Sequence, residues 1–289
     1  MTLLELVEAQ AERLAQAGVS FGHGTTNAYD EAAWLVQWSL GLPLDALDDQ
    51  SARPVSAQEK RRAQALVGER IATRKPAAYL THEAWLQGVP FYVDERAIVP
   101  RSFIAELIAD GSIDPWLSDR AERVLDLCTG NGSLAVLAAM AWPEVRVDAS
   151  DLSRDALAVA RINVERHGLV ERITLVESDA LAATPGPYDL ILCNPPYVNA
   201  ASMAALPPEY RAEPEMALGS GPDGMDFTRR LLREAPHAMT PQSVLVIEIG
   251  NEREHFERAF PRLEAVWLET SAGADQVLLL TRDAIVAGS

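Results

Sequence analysis

The chain has 289 residues, 48% hydrophobic and 23% charged, enough apolar material for a core without disulfides. Its two cysteines, Cys128 and Cys193, exclude a disulfide framework and a zinc cluster. A formal net charge of −17 argues against holding naked nucleic acid through phosphate contacts alone.

The N-terminus, MTLLELVEAQAER, carries Glu5 where a signal peptide would be positive, and lacks a sustained apolar run. No stretch of about 18 uncharged apolar residues follows, so no membrane association and a reducing cytoplasmic setting are expected. Leu3, Leu4, Val7, Ala11 and Leu14 fall near helical spacing, with Gly18 as the stop. Asp30 opens a second helix through Trp34, Leu35, Trp38 and Leu40, and Gly41-Leu42-Pro43 ends it. Ser56 and Glu59 have capping-box spacing, which starts a third helix through Leu66, Val67 and Ile71 that Pro76 ends. Lys60, Arg61, Arg62, Arg70, Arg74 and Lys75 form a basic cluster there. Two readings stay open for it: a solvated helix face, or a contact to a partner that carries nucleic acid.

Segment 84–99, AWLQGVPFYVDERAIV, offers two short β-branched or aromatic runs and reads as a β-hairpin or an extended linker, the hairpin being the expectation. The chain therefore divides into a helical domain at 1–83, this linker at 84–99, and an α/β domain at 100–289. Strands are predicted at Arg123–Cys128, Val145–Ser150, Ile173–Glu177, Asp189–Cys193, Val244–Ile249, Ala265–Glu269 and Gln276–Thr281. Helices separate the first five, one of them capped by Ser153 and ended by Gly168. The connection Ser271–Asp275 is too short for a crossover helix, so the last two strands are antiparallel. Cys128 and Cys193 then end neighbouring strands and lie close together, reduced.

The chemistry-bearing residues sit at strand ends. The first strand runs into Asp126-Leu127-Cys128-Thr129-Gly130-Asn131-Gly132 and then a helix. The third glycine of a dinucleotide fingerprint is missing. The pattern suits a ligand with an amino-acid end and a nucleoside end, without pyrophosphate; a purely structural turn is the alternative. Asp151, 25 residues after Asp126, ends the second strand beside Leu152, where a carboxylate can take two ribose hydroxyls. Its plain alternative is an acid at a helix N-terminus. Asp179-Ala180 follows the third strand, where an acid can accept from an adenine amino group or be an ordinary loop residue. The fourth strand enters Asn194-Pro195-Pro196-Tyr197. The Asn194 side-chain carbonyl and the Pro195 backbone carbonyl are two acceptors in a turn from which two prolines remove donors. Two acceptors suit a planar NH₂ group, and Tyr197 offers it a flat face. The five histidines show no metal-ligand spacing, and no metal is expected.

On these residues the chain resembles the HemK-like protein-glutamine methyltransferases, which have a helical N-terminal domain, a hairpin linker with a Pro-Arg element (here Pro100-Arg101), the glycine motif and NPPY. GHGTTNAYDEA from Gly22, AYLTHEAWLQGVPFYVDERAIVPRS from Ala78 and LPPEYRAEPEMALGSGPDG from Leu206 resemble the branch that modifies large-subunit ribosomal protein L-three. Phe103 departs from the proline the resemblance implies. The resemblance implies a class I S-adenosylmethionine-dependent methyltransferase fold, with a Rossmann-like seven-stranded sheet. It implies transfer of the methyl group to a glutamine amide nitrogen, leaving S-adenosylhomocysteine. The partner it implies is ribosomal protein L-three, free or in an assembly intermediate carrying RNA. A release-factor enzyme, a nucleic-acid amino-methyltransferase and a non-catalytic binding module remain the alternatives. Arg101 and Glu106 are expected either at the cofactor mouth or as a surface ion pair. The aperiodic stretch Val198–Asp226 is expected to be a substrate-contacting flap.

Overall fold

The structure is a computed structural model that describes residues 1–118 and 120–288. The first five helices are α1 (Leu3–Gln16), α2 (Ala28–Leu40), α3 (Ala46–Gln50), α4 (Ala57–Thr73) and α5 (Ala77–Thr81). Leu3, Leu6, Val7 and Leu14 of α1 pack on Ala32, Leu35 and Val36 of α2 and on Ala63 and Val67 of α4. Helix α2 opens earlier than expected, because Asn27 rather than Asp30 is its cap, its Oδ1 accepting from the Tyr29 and Asp30 N–H groups. Ser56 and Glu59 make both capping-box bonds. Helix α4 stops at Thr73, before Pro76, which instead caps the short α5.

The basic cluster is not one exposed face. Arg70 is fully buried. Its Nε donates to Glu31 Oε1 at 2.8 Å, its Nη2 donates to the Ser20 carbonyl at 2.9 Å, and Nη1 lies 3.5 Å from Glu209 Oε1. Arg74 donates to the Ala17 and Gly18 carbonyls at 2.7 and 2.9 Å, satisfying the end of α1. Lys75 pairs with Glu95 at 2.6 Å. Arg61 and Arg62 stay exposed. Helical spacing cannot reveal this, since the acceptors for Arg70 come from Ser20 and Glu209, far away in the chain.

Strands β1 (Ala84–Leu86) and β2 (Val89–Phe91) form the expected hairpin, with Leu86 opposite Val89, but it ends at Phe91 and the rest of the linker runs without partner strands. Next come α6 (Ile104–Ala109), β3 (Arg123–Leu127), α7 (Ser133–Ala141), β4 (Arg146–Asp151), α8 (Arg154–Arg166), β5 (Ile173–Glu177) and β6 (Tyr188–Cys193). They are followed by α9 (Ala200–Ala205), α10 (Asp226–Ala238), β7 (Met239–Glu248), α11 (Arg253–Ala259), β8 (Val266–Thr270), β9 (Gly273–Thr281) and α12 (Arg282–Gly288). The seven-stranded sheet has the order β5-β4-β3-β6-β7-β9-β8. The first five strands are parallel, and β9 is antiparallel to both β7 and β8. This is the α/β class expected. The β3 and β6 interiors are nearly continuous apolar runs because helices cover both faces. Strand β7 starts five residues before the predicted Val244, its exposed Pro241 and Gln242 hiding the strand from an apolar pattern. No helix among the described residues is long and apolar enough to cross a membrane.

Removing Arg70 leaves Glu31 buried without its guanidinium partner. Arg70→Ala is expected to lower unfolding free energy by about 3–5 kcal/mol. Urea denaturation measures this, and a loss below about 1 kcal/mol contradicts the role given to Arg70.

Candidate active site

Strand β3 delivers its last residues into a turn where two glycines serve different purposes. A Cβ on Gly130 would meet only Ile98, at 4.0 Å, so the turn faces open space there. A Cβ on Gly132 would lie 3.1 Å from the Ala160 Cβ, so this glycine lets α7 pack on α8. Asp126 is fully buried; its Oδ2 accepts from the Thr129 hydroxyl at 2.5 Å and the Ala135 N–H at 2.9 Å, while Oδ1 has no partner. Burial pushes its carboxyl up to about 7, against the pull of those bonds. Asn131 is buried too: its Oδ1 accepts from Ser133 N at 3.2 Å. Its backbone carbonyl accepts from Asn163 Nδ2 at 2.8 Å. Asn163 also exchanges bonds of 2.7 and 2.9 Å with the Tyr92 backbone, tying the linker to the turn.

Asp151 closes the turn from the next strand. Its Oδ2 accepts from Gly130 N at 2.9 Å and its Oδ1 from Ser153 N at 2.8 Å. A pocket opens at these strand ends, and Gly130, Asp151, Leu152, Asp179, Ala180, Asn194 and Pro196 all line it. Asp126, Thr129, Asn131, Gly132, Pro195 and Tyr197 lie behind or beside the wall rather than on it. Asp179 does not present a free carboxylate, since Arg230 of α10 donates to its Oδ1 at 2.5 Å and to its carbonyl at 3.1 Å. Sequence reasoning missed Arg96, Ala97 and Ile98 of the linker, Pro214, Met216 and Ala217, and Phe227. None carries a spacing signal, because they reach the pocket from separate segments.

The turn after β6 is shaped by glycines. A Cβ on Gly250 would sit 2.5 Å from the Tyr197 ring, and one on Gly224 would sit 2.1 Å from the Tyr197 carbonyl. Burial pushes the Tyr197 hydroxyl up, and that hydroxyl faces Glu248 Oε1 at 3.4 Å. The Asn194 side chain has no hydrogen-bond partner among the described residues. Cys128 and Cys193 are both free; Cys193 pairs with Leu127, the residue before Cys128, at the neighbouring ends of β3 and β6.

Arg101 and Glu106 do not pair with each other, and neither lines the pocket. Arg101 makes a two-pronged bond to Glu213 at 2.6 and 2.7 Å, and Glu106 accepts from Ser271 N and Oγ. Phe103 donates its N–H to Glu248 at 2.9 Å, a bond that a proline there would lack. The expected flap is a pinned strap. It holds α9 and two short 3₁₀ turns, and buries Glu209 and Glu213 against the N-terminal helices and linker. Its polar residues hid this, because buried carboxylates look like solvated ones in a sequence.

A profile described as methyltransferase small domain matches residues 114–206. A ribosomal protein uL3 glutamine methyltransferase of Bordetella pertussis is 53% identical, over 98% of this chain and 95% of its own. One of Burkholderia pseudomallei is 52% identical, over 96% and 94%. Among solved structures, the hMettl16 catalytic domain in complex with MAT2A 3'UTR hairpin 6 matches with a TM-score of 0.53 at 13% identity. That match covers 78% of this chain and 82% of the other, and is a likeness of fold.

Asp126 gives a pH signature. An aspartate has a pKa of about 3.9 in an unfolded chain, so the folded protein binds this proton more tightly. The associated stability is present below about pH 4 and lost as pH rises through about 7. Its full span is on the order of 4 kcal/mol. Asp126→Asn is expected to flatten the loss of unfolding free energy between about pH 4.5 and pH 8. An unchanged slope in urea titrations at the two pH values contradicts the assignment.

Proposed function

The chain belongs to the family of ribosomal protein uL3 glutamine methyltransferases, and on that premise we propose that it methylates a glutamine side-chain amide of uL3, the large-subunit protein L-three, giving N(5)-methylglutamine. The observation that carries this reading is the Asn194–Tyr197 turn, whose Asn194 and Pro196 share a pocket with Gly130 and Asp151. The class I fold suits S-adenosylmethionine, and the residues fit it. Asp126 Oδ1 and Ser150 Oγ are buried without partners beside the glycine turn, and Gly130 leaves room for close approach. Asp126 and Gly130 would hold the amino-acid end, Asp151 and Leu152 the ribose, and Asp179 and Ala180 the base. Thr129, Asn131 and Gly132 fix the shape of the turn. When bound, the cofactor supplies a methyl group on a positively charged sulfur.

The protein supplies position and electrostatics. An amide nitrogen is a poor nucleophile because its lone pair is delocalised. Asn194 Oδ1 and the Pro195 carbonyl accept its two N–H groups, which turns the lone pair toward the methyl and favours pyramidalisation. Positive charge grows on the nitrogen during transfer, and the same two carbonyls stabilise it. Pro195 and Pro196 remove competing donors, and Tyr197 packs its ring beside the planar amide. The proton leaves to water. Residues 1–83, the hairpin and the strap select the acceptor, a basic ribosomal protein that suits a chain of net charge −17. The reaction is placed in the cytoplasm.

Asn194→Ala is expected to lower turnover on the order of 10²–10³-fold while leaving cofactor affinity intact. Asp151→Ala is expected to do the reverse, weakening cofactor binding by about tenfold or more in calorimetry. Purified uL3, with and without RNA, is expected to accept methyl groups under conditions where a release factor does not. Preferential methylation of the release factor would overturn the acceptor and leave the chemistry standing.

A further inference from the structure

Glu248 ends β7 and is 2% exposed, yet among the described residues no cation bonds to it, since Arg101 is committed to Glu213. Its two oxygens point in different directions. Oε2 accepts from the Ser102 hydroxyl at 2.6 Å and the Phe103 N–H at 2.9 Å, both just after the linker, in the segment that continues it. Oε1 accepts from the Tyr197 hydroxyl, at 3.4 Å. The Tyr197 ring rests on Gly250, where even a methyl group would come within 2.5 Å of it. The ring is therefore held between a bare backbone surface and a carboxylate. The linker donors need one oxygen, and a buried acid is a costly way to supply one acceptor. The Ile104 N–H also faces the carboxylate, and among the described residues the hydrogen-bond partner of the second oxygen is the tyrosine hydroxyl.

We propose that Glu248 is a positioning residue for methyl transfer: it fixes the Tyr197 ring, and through it the Asn194–Tyr197 turn, to the linker that forms the opposite wall of the pocket. This rests on the reaction proposed above. The 3.4 Å separation is long for an O–H···O bond, and it shortens to the ordinary range when a glutamine amide seats against the ring.

A double-mutant cycle with Tyr197→Phe tests this. Glu248→Ala is expected to lower kcat roughly tenfold in the wild-type background, and less than about twofold in the Tyr197→Phe background. KM for the cofactor is expected to move less than about twofold in both. Glu248→Gln, which keeps an acceptor for the linker and offers a polar group to the tyrosine, is expected to retain activity within about threefold. Should Glu248→Ala not fold, Glu248→Asp takes its place in the cycle, with the charge kept and the carboxylate withdrawn by one methylene. Equal losses in the two backgrounds overturn the proposal. An independent arm uses fluorotyrosine-labelled protein, with the Tyr197 resonance identified by its loss in Tyr197→Phe. A shifted Tyr197 line in the Glu248 variant supports the proposal, and an unshifted line overturns it, whatever the acceptor proves to be. Failure of wild-type protein to methylate uL3 would count against the proposed reaction instead.

Discussion

Two carboxylates on one strap, Glu209 and Glu213, are buried where the N-terminal helices, the linker and the sheet meet. Glu213 accepts from Val99 N at 2.9 Å and from both Arg101 terminal nitrogens, and His23 Nε2 lies 3.4 Å away. Burial alone would raise its pKa; the charge of Arg101 and the bonds it donates bring it down to about 2. Glu209 accepts from Ser20 N at 3.0 Å and from Arg74 at 3.3 Å, and faces Arg70. The partners of Glu209 all gather on Oε1 while Oε2 has none, so it is the cations around it and the full set of bonds to Glu213 that make a buried charge tolerable and hold the strap in this seat. Pro214, Met216 and Ala217 follow Glu213 directly and reach the pocket because that seat is fixed.

The pocket is tied together in the same manner on its other side. Asp151 links the glycine turn to the start of α8, and Asn163 links that helix to the linker and the turn. The two sides of the pocket therefore share supports. Linker residues Arg96 to Ile98 form a wall, while Ser102 and Phe103 bond to the carboxylate behind Tyr197. Rigidity of this kind suits a reaction whose acceleration comes from orientation and placed acceptors rather than from a strong base.

What local chemistry dictates was legible from the residues. The Ser56–Glu59 capping box, the Ser153 cap, the hairpin within 84–99 and the run of apolar strands depend on neighbours a few positions apart. The placing of Cys128 near Cys193 followed from the strand order that the class I resemblance implies, and β3 does lie beside β6. The positions of Asp151 and Asn194 at strand ends followed from the same alternation.

The sequence by itself determined the fold class, the seven strands and the turns at their ends, because hydrophobic period and capping act over a few residues. Only tertiary structure decided which charges are buried. Arg70 belonged to a basic cluster and lies in the core; Val198–Asp226 looked like a flap and is pinned by buried carboxylates; Asp179 ends a strand and is engaged by Arg230. The partners of these groups lie between 39 and 189 residues away in the chain. A charged side chain has the same letter whether water or a distant guanidinium satisfies it, and folding alone chooses between them.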